Sequence, residues 1–115
     1  MLVLLGLAGG GAAPAALAAE AVRTDKDVVA PGATVTVNAS GFPARRAVEL
    51  GAGPPHSEYL VIDTGLTDAA GSVDFHPRID GATPTGTIIV FVVATEDLMI
   101  KAESPPVEIL PAPGS

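Results

Sequence analysis

The sequence predicts an all-β protein, a single antiparallel β-sandwich domain of about seven short strands, and three observations predict it. Apolar and polar residues alternate with period two in several segments, the pattern of strands with one buried and one wet face. Turn signals built on Gly, Pro and Asp recur about every ten residues. The 13 Gly and 11 Pro disrupt helix interiors but suit many turns, and no amphipathic helical period follows Ala19.

Each strand is read from its own residues. Thr34 to Ala39 alternates strictly, placing Val35, Val37 and Ala39 inward and Thr34, Thr36 and Asn38 outward. Pro31-Gly32 turns the chain into this strand and Gly41-Phe42-Pro43 turns it out. Ala47 to Leu50 follows, with Val48 and Leu50 inward, and then a Gly/Pro loop over 51–55. Tyr59 to Ile62 is apolar on both faces, so its phase stays open. Thr67 to Ser72 reads as a hairpin turn, with Asp68 bonding the backbone and Gly71 at positive φ. Val73, Phe75 and Ile79 then face inward against Asp74, His76 and Arg78. Thr87 to Ala94 is the most apolar strand; it turns at Thr95-Glu96-Asp97 and returns from Leu98 to Ala102. Ser104-Pro105-Pro106 breaks the return before Val107 to Leu110, and prolines there imply an edge or a bulge.

Composition narrows the function classes. Hydrophobic residues make up 48% of the chain but aromatic ones only 3%, so Val, Ile, Leu and Ala must fill the interior. A net charge of −7 argues against nucleic acid or an anionic membrane surface as partner. Without Cys, disulfides, thiolate catalysis and Cys-ligated zinc are excluded, and packing alone must hold the domain. Residues 1–19 read as a signal peptide: an apolar opening over Met1 to Ala8, a Gly/Ala/Pro run, and the small-x-small site Ala16-Leu17-Ala18. A domain over 20–110 and a Pro-rich tail over 111–115 complete the expected organisation. No later stretch is long enough to span a membrane as a helix. The expected location is therefore secreted, periplasmic or cell-surface, without membrane insertion after signal cleavage.

The order Pro31-Gly32-x-Thr34-Val35-Thr36-Val37, Ser40-Gly41-Phe42-Pro43, Thr67-Asp68-x-x-Gly71-x-Val73 and Pro84-x-Gly86-Thr87 resembles the immunoglobulin-like repeats of bacterial exported and cell-surface proteins. The resemblance covers roughly Val22 to Leu110 and implies an immunoglobulin-like sandwich; turn and strand signals specify fold far better than function. A more distant likeness, in size and in the order of β-turn signals, is to the neocarzinostatin-type apoproteins. That likeness implies a carrier for a hydrophobic small molecule, although this chain lacks that family's cysteines.

The candidate site lies on the strand Ile88 to Ala94. With Ile88, Val90, Val92 and Ala94 facing the core, Ile89, Phe91 and Val93 face outward on the same strand. A strand apolar on both faces is usually covered on both. The cover is either a local element, such as the tail or a retained N-terminal segment, or a partner: another subunit, a neighbouring domain or an apolar ligand. Ile89, Phe91 and Val93 are thus the candidate contact residues, for a protein partner, self-association or a ligand.

Catalytic and metal chemistry find little footing. His56 and His76 have no i+2 or i+4 partner and make a poor metal set. A triad drawn from His56 with Ser40 or Ser57 has no strained elbow to hold the serine. Asp25 and Asp27, Asp63 and Asp68, and Glu96 and Asp97 cluster without calcium-loop spacing and read as a solvated acidic surface. Asn38-Ala39-Ser40 matches a glycosylation acceptor but falls inside a strand. The expected function is a non-catalytic exported binding or structural module, acting through loops or an apolar sheet face, with no cofactor and no metal. The alternative is a carrier of a hydrophobic small molecule.

Overall fold

In a computed structural model, which describes residues 20–111, nine strands form two sheets around one core, without a helix among the described residues. No helix among them is therefore long and apolar enough to cross a membrane. The expected signal peptide over 1–19, and 112–115 of the expected tail, lie outside the described residues.

The smaller sheet joins β1 (Ala21–Thr24), β3 (Val37–Ser40) and β6 (Val73–Phe75), antiparallel in the order β1-β3-β6. Its register sets Val22 opposite Ala39 and Val37 opposite Phe75, which gathers the alternating apolar residues on one face. Val35, Val37 and Ala39 are completely buried, Phe75 and Ile79 nearly so, and Asp74, His76 and Arg78 are exposed.

The larger sheet has six strands. They are β2 (Val28–Val29), β9 (Val107–Ile109), β7 (Ile88–Thr95), β4 (Ala47–Gly53) and β5 (Leu60–Leu66), in that order, with β8 (Lys101–Glu103) also pairing with β7. Two pairings depart from expectation. β2 runs parallel to β9, because the chain leaves β1 through Asp25–Asp27 and crosses to the other sheet, where Glu108 N–H donates to the Asp27 carbonyl. The Thr67–Ser72 turn closes no hairpin: β5 pairs with β4 and β6 with β3, so the turn carries the chain between sheets. Thr67 makes that crossing rigid. Its buried hydroxyl accepts from Arg46 N–H (2.7 Å) and donates to the Pro43 carbonyl (2.6 Å). Gly71 has φ of 80°, and a Cβ there would collide with the Phe42 carbonyl oxygen.

β7 is the structural spine. β4 pairs along one edge, while β8 and β9 share the other. The Pro105-Pro106 break between β8 and β9 is bridged by the buried Ser104. Its Oγ accepts from Phe91 N–H (2.9 Å), and its own N–H donates to the Phe91 carbonyl (2.8 Å). The hydroxyl oxygen thereby takes the place of a ladder carbonyl as the acceptor for Phe91 N–H at the point where the prolines interrupt the strand.

The expected phase of β7 is reversed. Phe91 (1% exposed) and Val93 (0%) belong to the central core with Val48, Leu50, Phe75 and Ile109, and half-buried Ile89 packs against it. Val90, Val92 and Ala94 take the opposite face and are buried as well. Val92 lies beside Gly51, and the Tyr59 ring closes over Gly51 so tightly that a Cβ there would collide with it. With both faces covered, periodicity carries no phase information. As a core residue, Phe91 should tolerate a polar truncation badly. Phe91→Ser is expected to cost about 3–5 kcal/mol, measured by denaturant unfolding of the wild type and the variant.

Candidate functional site

β5 ends the larger sheet. It pairs with β4 along one edge, and among the described residues no strand pairs with the other. The row of N–H and C=O groups on that edge is open to another strand. The β4–β5 register slips between Leu50 and Gly51, whose partners are Asp63 and Val61, leaving Ile62 as the extra residue of a bulge. The side chains on this edge are apolar to an unusual degree. Leu60 is 73% exposed and Leu66 64%, with Val61 and Ile62 close to half exposed. Single exposed apolar residues are common, but here Leu60, Val61 and Ile62 are consecutive at one end of an open edge strand, with Leu66 at its other end.

A cleft of about 450 Å³ runs beside this strand. Its apolar lining comes from Ala52, Leu60, Ile62, Ile79, Ile89 and Phe91, with Arg78 and Asp80 adding charge. The three-stranded sheet ends at β6, which makes no ladder with β5, so the floor beneath Leu60 and Ile62 is left partly open. Of the residues expected to form a contact face, Ile89 and Phe91 reach the cleft floor, whereas Val93 lies wholly in the core and is absent from the cleft lining. Leu60, Val61, Ile62 and Leu66 carry the exposed surface instead. The signal was the two-sided apolar run Tyr59 to Ile62, which the open phase left unassigned.

Both histidines sit apart from this cleft and from each other. His56 occupies the exposed β4–β5 loop at φ of 58°, and His76 Nδ1 lies 3.3 Å from Thr36 Oγ1. Among the described residues no three His, Cys, Asp or Glu side chains group closely enough to hold a metal ion. In each expected acidic cluster, a carboxylate is engaged by backbone. Asp25 accepts from Thr36 N–H (3.0 Å), Asp63 from Thr64 N–H (2.8 Å), Asp68 from Ala70 and Ser72 N–H (both 2.9 Å), and Asp97 from Met99 N–H (3.0 Å). The bonds of Asp68 and Asp97 close turns, the local use that Asp side chains favour, whereas Asp63 bonds the next residue within β5 and Asp25 ties the end of β1 to the approach to β3. Lys101 Nζ lies 5.9 Å from the Tyr59 ring centroid, a cation–π contact on the β8 side of the sheet.

No protein-family model matches this chain, and no curated protein sequence matches it.

Two of the turn carboxylates tie stability to pH. The Ser72 and Ala70 amides hold Asp68 below its ordinary value of 3.8, and the Thr95 hydroxyl, then the Met99 amide, do the same for Asp97. A carboxyl whose pKa is lower in the folded than in the unfolded chain stabilises fully above the unfolded value. That contribution is lost as pH falls through the folded value. Thermal melts should therefore weaken below about pH 4, and Asp68→Asn should lessen the fall. An unchanged acid limb in Asp68→Asn would show that the turn bonds add nothing.

Proposed function

We propose that this chain is an exported, non-catalytic binding module of immunoglobulin-like type whose contact is made by β5 and the cleft beside it. One observation carries the reading: an edge strand with an unpaired backbone and exposed Leu60, Val61, Ile62 and Leu66, lying over an apolar cleft. Both features favour association over chemistry. Open backbone groups recognise another strand, and apolar side chains gain free energy when covered. The immunoglobulin-like assignment is supported by the division of strands. β1, β3 and β6 fall together as strands A, B and E do in such domains, while β4, β7 and β8–β9 fall together as C, F and G do. Export is supported by the apolar opening and the Ala16-Leu17-Ala18 site, and it accords with a secreted, periplasmic or cell-surface role.

A second reading, a carrier of a hydrophobic small molecule, is favoured by the cleft itself. Its 450 Å³ falls within the range of small-molecule sites, about 300–1,000 Å³, and its lining is mainly apolar. One experiment separates the two. A photo-crosslinking side chain is placed at the edge (Leu60→benzoylphenylalanine) and, as a control, in the exposed turn (Thr85→benzoylphenylalanine), and each variant is irradiated in the producing cells. A protein-sized adduct from position 60 alone is the expected result. An adduct of small-molecule mass would favour the carrier, and no adduct, or equal adducts at both positions, would contradict the contact at β5.

A further inference from the structure

Resting on the reading of β5 as the contact strand, we infer that its partner is an extended, basic polypeptide segment of another protein, added antiparallel to β5. Three features of the site point to this occupant. The first is the chemistry of the edge. β5 is seven residues long, about 23 Å at strand rise, and its alternate residues turn N–H and C=O away from β4. Thr64 N–H is held by the Asp63 carboxylate, and only another extended backbone matches the remaining donors and acceptors. The second is the side-chain pattern. Leu60 and Ile62 line the cleft, so alternate residues of an added strand come to lie beside an apolar pocket.

The third is charge. The hairpin from Ala47 to Leu66 carries Glu49, Glu58 and Asp63, and no Lys or Arg. Of the cations around it, exposed Arg45 and Arg46 lie just before the hairpin, at the Leu66 end and away from Asp63. Arg78, on the cleft lining, donates its Nε–H to the Gly32 carbonyl (3.0 Å), and Lys101 lies over the Tyr59 ring. Asp63 is exposed in the middle of the strand. A basic residue opposite it gains a favourable cross-strand pair, whereas an acidic one is repelled. The same charge disfavours a second copy of this chain. Two β5 edges side by side would bring six carboxylates together from two hairpins, three from each, in chains that each carry −7.

The test uses the full chain, isotopically labelled, with two synthetic peptides: acetyl-Thr-Val-Lys-Val-Lys-Val-Thr-amide and its counterpart with both Lys replaced by Glu. Amide resonances are followed during titration. The Lys peptide is expected to shift resonances of Leu60–Leu66 and of the cleft residues, and to bind about tenfold more tightly than the Glu peptide. Asp63→Lys, at an exposed position, should abolish or reverse that preference. Equal binding of the two peptides, shifts confined to other strands, or no binding of either would overturn the inference. A crosslinked species of twice the chain mass from position 60 would also overturn it, by naming a second copy as the occupant while leaving β5 as the contact strand.

Discussion

The structure depends on a strand that has no wet face. β7 places Phe91 and Val93 in the central core and Val90, Val92 and Ala94 on a second buried face, so both sides must be covered and both edges paired. β4 meets one edge. The other is met by two short strands and one serine, because Pro105-Pro106 rules out a continuous partner. The Ser104 hydroxyl keeps Phe91 N–H bonded across that gap. Left unbonded in so dry a setting, the amide would cost more than an ordinary hydrogen bond gains. On the second face Tyr59 folds back over Gly51, the β4 partner of Val92, where only a residue without Cβ leaves room.

The same arrangement explains why β5 is open. The three-stranded sheet is centred over β7 and β4, where Val37, Phe75, Leu50 and Phe91 share one core. β5 lies one strand farther out and has no partner on its far side among the described residues. Proteins commonly blunt such edges with charges and bulges. Both devices are present here, as Asp63 and the bulge at Ile62, yet Leu60 and Leu66 remain the apolar features that a neutral surface would not need. An edge that is partly protected and still apolar fits selective pairing better than indiscriminate aggregation.

Where one face was wet, the sequence was a reliable guide. Thr34 to Ala39 and Val73 to Ile79 alternate, and Val35, Val37, Ala39, Phe75 and Ile79 are buried where the alternation puts them. The Pro105-Pro106 break appears as expected, between two strands. Legibility failed wherever the deciding contact was remote in sequence. The phase of β7 is set by the core that Phe91 and Val93 join with residues of other strands, and its own run of apolar residues is silent on the matter. Asp63-Thr64-Gly65 has the composition of a turn but is held extended by pairing with Val48 to Leu50. The Asp68–Gly71 turn has the chemistry of a hairpin, which is equally the chemistry of a turn between sheets. The candidate site was half legible for the same reason: Ile89 and Phe91 reach the cleft from inside, while the exposed residues lie on the strand whose phase the pattern left open.

β7 is the closed spine of the domain and β5 its open edge. Native-state hydrogen exchange, resolved by residue, tests this most directly. Amides of Val90 to Val93 should exchange only through global unfolding, and alternate amides of β5, those turned away from β4, should exchange orders of magnitude faster. Uniform protection along β5 equal to that of β7, or rapid exchange within β7, would contradict the account.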